Sequence, residues 1–154
     1  MIPRFDEPRK KDLRYTHRPG AYGILVQGDM ALLTFQSEPE PEFQLPGGGI
    51  EAGESPIAAL HREVAEETGW GIRILRRLGA FQRFTYMPDY HLWAQKVCHI
   101  YLCRPTRMKG SITEPYHSVH WVPLTKAAHI LGNGGDRHFV QQYLDRHNRR
   151  RTRP

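Results

Sequence analysis

The chain has 154 residues, of which 39% are hydrophobic, and this length is enough to bury the core of one domain. Its formal net charge is +6, but residues 1–18 carry six Lys or Arg against three acids and residues 145–154 carry five Arg against one acid. The middle of the chain is therefore about neutral. No apolar run of 18 residues and no signal-peptide pattern is visible, which predicts a soluble, cytoplasmic protein without a membrane partner.

The first predicted elements are two strands joined by a tight turn. Residues 21–26 and 30–35 have the composition of strands, and Gln27-Gly28-Asp29 between them predicts a β-hairpin. Residues 43–45 predict a short strand that leads into the loop LPGGGIEAGE, residues 45–54. Its glycines let the backbone bend tightly and approach a ligand closely, although a plain connecting turn has the same composition.

A helix is predicted directly after this loop, over residues 56–68. Ser55 suits the N-cap, Pro56 the first helical position and Gly69 the C-terminal cap. The stripe predicted to face the core consists of Ile57, Leu60 and Val64. The neighbouring ridge carries three acidic residues, Glu63, Glu66 and Glu67.

These three carboxylates repel one another at helical spacing, by a few tenths of a kcal/mol per pair in an isolated helix. A divalent cation gives a reason for the arrangement, because clustered oxygen ligands suit Mg²⁺ or Mn²⁺. A solvated acidic face is the alternative and the common explanation for such a cluster standing alone. The glycines and Glu54 at fixed distances upstream favour the metal site.

Residues 48–70, GGIEAGESPIAALHREVAEETGW, join these features in one pattern, G-x5-E-x7-R-E-V-x-E-E-x-G-W. The pattern resembles the Nudix box, the signature of the Nudix hydrolases, at Gly48, Glu54, Arg62, Glu63, Glu66, Glu67 and Gly69. The resemblance implies an α/β (α+β) fold, with a mixed β-sheet sandwiched between α-helices, and a MutT-like pyrophosphohydrolase that uses Mg²⁺ or Mn²⁺. The chain departs from the pattern at Trp70, where the family usually has a smaller aliphatic residue.

The resemblance also implies roles for individual residues. The carboxylates of the metal site would be Glu63, Glu66 and Glu67. A further ligand would be the carbonyl of Gly47, and the general base would be Glu63 or a residue outside the box. Arg62 would orient the carboxylates through paired hydrogen bonds, although a surface arginine is the alternative. Glu54 would support the site.

The rest of the chain is predicted to complete a single domain of residues 1–154, with a polar N-terminal arm (1–18) and a basic C-terminal tail (146–154). Extended segments are predicted at residues 72–84, 93–102 and 118–122, with a turn at 87–89. Helical segments are predicted at residues 127–131 and 136–146. Cys98 and Cys103 are an odd number of residues apart in a predicted strand, so we expect free thiols on opposite faces.

Three further positions are candidates for the site. Glu114 lies where the family often has an acidic ligand on a loop, with an exposed loop glutamate as the alternative. Asn133 lies between glycines, where MutT-type members use an asparagine to read a purine edge, although it is also a good turn residue. Aromatic residues that could stack on a base or simply pack in the core are Phe81, Phe84, Tyr86, Tyr90 and Trp93, with Phe81 and Tyr86 as the candidates for substrate binding.

The function expected from the resemblance is hydrolysis of nucleoside triphosphates to a nucleoside monophosphate and pyrophosphate. The same chemistry suits a dinucleoside polyphosphate, a nucleotide sugar or a triphosphorylated RNA end, and the basic tail would contact RNA in the last case. A catalytically silent domain that senses a nucleotide is a hypothesis of another class. It predicts a degraded box or an attached DNA-binding domain, and this sequence shows neither. A dimer is compatible with the sequence.

Overall fold

A computed structural model describes residues 1–152 of the chain. Within these residues seven strands form one sheet: β1 (Thr16–Gln27), β2 (Met30–Gln36), β3 (Glu42–Gln44), β4 (Gly47–Gly49), β5 (Trp70–Met87), β6 (Leu92–Met108) and β7 (His117–Pro123). The helices are α1 (Pro56–Thr68), α2 (Leu124–Ile130) and α3 (Gly134–Arg151). The predicted hairpin and helices are present. The glycine-rich loop contributes a short strand, β4, that was not predicted.

The sheet is mixed and runs in the order β3-β2-β1-β6-β5. β1 and β6 are parallel, whereas the other pairs are antiparallel. β1 pairs with β2 only over residues 25–27, and residues 20–22 of β1 pair with β4 instead. β4 thus takes the position beside the first half of β1, which brings the glycine-rich segment to the middle of the sheet.

Helices cover both faces of this sheet. α1 packs on one face in a cluster formed by Ala21, Leu25, Leu32, Leu60, Val64, Ile72, Tyr101 and Cys103. α2 and α3 pack on the other face in a larger cluster that includes Ile24, Leu33, Phe81, Cys98, Ile100, Leu131 and Val140. The predicted sandwich is therefore confirmed. The two cysteines are buried free thiols in different clusters, as expected from their spacing.

The ends of α1 are those predicted from the sequence. The Ser55 side chain accepts a hydrogen bond from the Ala58 N–H at 3.1 Å, and Gly69 adopts a left-handed conformation with φ of 76°. The predicted burial of Ile57 is wrong: it is 49% exposed, because the buried face of the helix passes through Leu60, Val64 and Glu67 instead. The unusual Trp70 packs edge-on against Trp121, with ring centroids 6.2 Å apart.

Both termini form backbone hydrogen bonds despite their polar composition. The first residues run beside β5, where the Phe5 N–H donates to the Gln82 carbonyl at 3.1 Å. Residues 16–18 of the predicted arm belong to β1, so the arm ends at Tyr15. The predicted basic tail is helical through Arg151, and Arg153 lies outside the described residues. No helix within residues 1–152 is both long and apolar enough to span a membrane.

Candidate active site

Arg62 lies at the centre of a network of acidic side chains on α1 and the loop before it. Its Nε and Nη2 donate to the two carboxylate oxygens of Glu54 at 2.8 and 2.9 Å. Its Nη1 donates to Glu63 at 2.9 Å and to Glu66 at 3.4 Å. A guanidinium bound in this way fixes the orientation of a carboxylate as well as its position. Hydrogen bonds from Arg62 also lower the pKa of Glu54 to about 2.

A second feature is a group of three carboxylates beside this network. Glu63, Glu66 and Glu114 each bring one oxygen atom to within 4.8 Å of the others. Glu114 comes from the loop between β6 and β7, and the Thr113 N–H holds that loop to α1 by donating to the Glu66 carbonyl at 2.9 Å. Glu114 is consequently half-buried instead of exposed. The structure thus brings the loop glutamate and two of the box glutamates together.

Glu67 lies deeper than the other glutamates and outside this group of three. It is 7% exposed, and its Oε2 accepts a hydrogen bond from the Gly47 N–H at 3.1 Å. Gly47 has a φ of 144°, and a Cβ there would collide with the backbone of β1. A Cβ on Gly48 would lie 2.5 Å from the carboxyl carbon of Glu63. These glycines therefore allow β4 to approach both glutamates closely, and the Gly47 carbonyl stays a predicted ligand.

The electrostatics of the glutamates fit a divalent cation. Burial raises the pKa of Glu67 well above its usual value, and the neighbouring glutamates raise it further. The hydrogen bond from Gly47 lowers this pKa but does not cancel the effect of burial. Burial also raises the pKa of Glu63, although Arg62 opposes this. A bound cation favours the charged form of both groups and so removes this cost. Because the candidate donors are all oxygen atoms, the set suits a hard divalent cation.

A cleft of about 310 Å³ leads from these carboxylates to the start of α3. Arg83 of β5 and Lys96 of β6 line it as a directly opposed cross-strand pair. Burial lowers the pKa of Lys96, and the charge of Arg83 lowers it further. Nothing in the sequence singles out this pair, because isolated basic residues in a strand suggest solvent-facing positions. Only the register of β5 against β6 shows that the two side chains share the cleft.

Asn133 and Asp136 form the far end of the cleft. The Asn133 side chain is the N-cap of α3, since its Oδ1 accepts a hydrogen bond from the Asp136 N–H at 2.8 Å. Asp136 accepts a weaker hydrogen bond from the Leu45 N–H at 3.4 Å, and burial raises its pKa to about 6. Asn133 therefore has a structural role as the cap of α3, where its backbone is extended, and not as the turn residue considered above. A role in reading the base stays a prediction.

The predicted aromatic residues separate into two environments. Phe81 is fully buried between Phe5 and Phe139, so the core-packing interpretation holds and its burial is inconsistent with stacking on a substrate. Tyr86 is 43% exposed. It lines a second cavity of about 550 Å³, which adjoins the cleft, together with Phe84, Tyr90 and Trp93.

The sequence that forms this site matches the model of a known protein family. The family model described as the NUDIX domain matches residues 16–143. The chain belongs to the Nudix family. Residues 1–15 of this Nudix chain lie outside the match. The recognition based on the box is therefore confirmed.

Two curated relatives of the Nudix chain carry names that describe an activity. A Bacillus subtilis (strain 168) protein provisionally named an 8-oxo-dGTP diphosphatase is 32% identical over 74 residues, which cover 48% of this chain and 50% of the relative. The RNA pyrophosphohydrolase of Halorhodospira halophila (strain DSM 244 / SL1) is 39% identical over 67 residues, which cover 44% and 37%. The chain thus spans no more than half the length of either relative.

A solved structure supports the fold of this Nudix chain independently. A NUDIX hydrolase from Nitrosomonas europaea superimposes with a TM-score of 0.69 at 16% identity, over 84% of this chain and 90% of that one. At this low identity the likeness concerns the fold alone. It agrees with the mixed sheet and its two helical layers.

Proposed function

We propose that this Nudix chain is a metal-dependent pyrophosphohydrolase of nucleoside diphosphate-linked compounds. The proposed substrate is a nucleoside triphosphate, which reacts with water to give a nucleoside monophosphate and pyrophosphate. The observation that carries the proposal is that Glu63 and Glu67 of α1 and the basic residues Arg83 and Lys96 line one and the same cleft. The name of the Bacillus subtilis relative supports the same class of substrate.

The charges of the cleft suit a polyphosphate bound together with a cation. Arg83, which lies 4.0 Å from the Glu42 carboxylate, and Lys96 line the same cleft as Glu63 and Glu67, so successive phosphates can lie between the two groups. The residues proposed to hold Mg²⁺ or Mn²⁺ are Glu63, Glu66, Glu67, Glu114 and the Gly47 carbonyl. When bound, such a cation neutralises phosphate charge and makes a coordinated water more acidic.

Glu63 is the proposed acceptor of the proton of the attacking water. Its side chain lines the cleft and is 16% exposed. One carboxylate oxygen accepts a hydrogen bond from Arg62 at 2.9 Å, and the other has no hydrogen-bond partner within residues 1–152. A carboxylate positioned in this way can act as a general base. A residue outside the box is the alternative base.

The test of this proposal is the Glu67→Gln variant, assayed with Mg²⁺. Glutamine keeps the size of the side chain and an oxygen that can accept the Gly47 hydrogen bond, but it loses the negative charge. We expect turnover to fall severely while the melting temperature changes little, because a proposed metal ligand is lost without loss of core volume. Glu38→Gln is the matched control, since Glu38 is exposed between β2 and β3 and forms no ion pair within residues 1–152.

The substrate panel comprises nucleoside triphosphates, oxidised purine triphosphates, dinucleoside polyphosphates, nucleotide sugars and 5′-triphosphate RNA. One preferred substrate that Glu67→Gln no longer cleaves would support both the chemistry and the substrate class. Near-normal turnover by Glu67→Gln would contradict the metal assignment. No cleavage of any compound by the wild-type protein would favour the nucleotide-sensing alternative.

A second candidate substrate is the triphosphorylated 5′ end of an RNA. A groove of about 260 Å³ between α3 and the sheet is lined by Arg76, Arg146 and Arg150, and the rings of Tyr143 and His147 stack beside it at 5.7 Å. None of these guanidiniums forms an ion pair with a residue in the described part of the chain. Unpaired arginines beside stacked rings suit a nucleic-acid strand. The name of the Halorhodospira relative favours the same substrate.

Charge reversal tests this candidate better than truncation, because residues 146–151 are part of α3. The Arg146→Glu/Arg150→Glu variant should lose activity on 5′-triphosphate RNA and keep its activity on mononucleotides. Arg149→Glu is the control, since Arg149 is an exposed residue of the same helix outside the groove. Equal activity of all three proteins on RNA would exclude a role for the groove.

A further inference from the structure

The second cavity is lined by residues outside the segment 48–70 that resembles the Nudix box. It measures about 550 Å³ and lies between the N-terminal arm (residues 1–15), the segment from β2 to β3 and the hairpin of β5 and β6. It shares six lining residues with the carboxylate cleft, namely Gln36, Glu42, Gln44, Arg83, Tyr90 and Lys96. One ligand can therefore occupy both spaces.

The arm is fixed to the domain at both of its ends. Near its start, the Gln82 N–H donates to the Pro3 carbonyl at 2.9 Å. The Asp6 carboxylate accepts hydrogen bonds from the Gly134 N–H at 3.1 and 3.2 Å, at the N-terminus of α3. At the other end, the Tyr15 ring packs edge-on against Phe84 at 4.8 Å and against Trp93 at 6.3 Å. The arm is thus a wall with a defined position.

We propose that the arm and the β5–β6 hairpin form a binding cavity for the nucleobase of the substrate, and that the arm determines which substrates fit. This inference rests on the proposed function, because it places the phosphates of the same nucleotide in the carboxylate cleft. The arm precedes residues 16–143, which match the family model, so this part of the wall lies outside the matched domain.

The chemistry of the cavity favours a planar, polar ring. Tyr86 and Trp93 lie 5.2 Å apart in a tilted pair, and Lys10 places its Nζ 5.2 Å from the Trp93 ring centroid. Aromatic surfaces of this kind stack on any base. Gln36 and Gln44 are joined by a hydrogen bond from Gln44 Nε2 to Gln36 Oε1 at 3.3 Å, and the other ends of the two amides, Gln36 Nε2 and Gln44 Oε1, can pair with the polar edge of a base. The cations Arg83 and Lys96 then lie where the cavity meets the cleft, on the path from base to phosphates.

The experiment is an isothermal titration of the full chain with AMP, GMP, CMP and UMP, and separately with inorganic pyrophosphate, in the presence of Mg²⁺. The variants are Tyr15→Ala, which removes part of the wall, and Thr85→Trp, which fills the cavity from β5. Lys11→Ala is the matched control, because Lys11 is an exposed residue of the arm that does not line the cavity. Circular dichroism and the melting temperature check that each variant is folded.

We expect the wild-type protein to bind at least one nucleoside monophosphate. Tyr15→Ala and Thr85→Trp should each weaken that binding by at least about 5-fold, which equals the lower limit for one base-stacking contact, because a displaced base loses its place on the Tyr86–Trp93 pair. Pyrophosphate binding should stay close to that of the wild type, and Lys11→Ala should match the wild type with every ligand. The inference is overturned if no monophosphate binds, if both variants bind it normally, or if the variants weaken pyrophosphate equally.

Failure of the proposed function gives a different result. If the wild-type protein cleaves no substrate but Tyr15→Ala and Thr85→Trp still weaken monophosphate binding, the cavity binds the base and the hydrolase proposal is wrong. If the protein cleaves nucleotides and neither variant changes affinity or substrate preference, the hydrolase proposal stands and the cavity inference is wrong.

Discussion

The Gly48→Ala variant tests how strongly activity depends on the position of the Glu63 carboxylate. The added Cβ would lie 2.5 Å from the Glu63 carboxyl carbon, whereas carbon atoms in contact are about 3.5–4.0 Å apart. The carboxyl group must therefore move by about 1 Å or more, away from the position in which Arg62 holds it at 2.9 Å. A displacement of about 1 Å in a reacting group costs on the order of 100-fold in rate. We expect a similar loss of kcat/KM, which is about 2.7 kcal/mol in activation free energy.

The same substitution should leave stability almost unchanged. The group that moves is the far end of the flexible Glu63 side chain, so the backbone can stay in place. Replacing glycine by alanine also reduces the entropy of the unfolded chain, which stabilises the protein by about 0.4–1 kcal/mol where the native backbone accepts a side chain. The control is Gly49→Ala, because a Cβ on Gly49 meets nothing within 4 Å. Steady-state kinetics with Mg²⁺ and urea unfolding measure the two effects. Equal kcat/KM for Gly48→Ala and Gly49→Ala would refute the reasoning, as would an activity loss fully explained by unfolding.

Three further predictions concern the network, the cation and a buried acid. Arg62→Lys keeps the charge but loses the paired contact with Glu54, so kcat/KM should fall by about 10- to 100-fold at unchanged fold, measured by kinetics and circular dichroism. Removal of divalent ions with EDTA should abolish turnover, and added Mg²⁺ should restore it. If activity returned in metal-free buffer without added Mg²⁺, that result would contradict a role for the metal. Burial raises the pKa of Asp136 to about 6, above its unfolded value near 4, so its contribution to stability is present at pH 4 and lost by pH 7. Relative to Asp136→Asn, the wild type should therefore lose about 2 kcal/mol of unfolding free energy between pH 4 and 7, measured by urea unfolding. A constant difference would show that burial does not shift the pKa of this group.

The sequence predicted α1 and its acidic ridge well because the signals are local. Ser55, Pro56 and Gly69 mark the two ends of the helix within one short segment. The spacing of Arg62, Glu63 and Glu66 along the helix then determines which side chains meet. Ile57 was wrongly predicted to be buried, because the spacing of apolar residues alone does not determine how the helix is rotated about its axis against the sheet. In the structure, the buried face includes Glu67, a polar residue that a search for apolar periodicity leaves out.

The cationic side of the cleft has no comparable local signal. Arg83 and Lys96 become neighbours only through the register of β5 against β6, which contains three irregularities. The same register places Phe81 opposite Cys98 and turns it into the core. The capping role of Asn133, in contrast, follows from the residue type and its position before a helix. Strand register thus determines which residues face the cleft, and the local sequence does not specify it.

In the proposed enzyme, the residues for hydrolysis lie mainly close together in the sequence, whereas the residues for substrate choice come together only through the fold. The groups proposed for hydrolysis come mainly from α1 and β4, together with one loop glutamate held to α1 through Thr113. The groups proposed for substrate choice come from the arm, the β2–β3 segment and the β5–β6 hairpin. Variants of α1 and β4 should therefore reduce turnover of every substrate by a similar factor. Variants of the arm should change the order in which substrates are preferred, and a change in that order caused by Gly48→Ala would argue against the division.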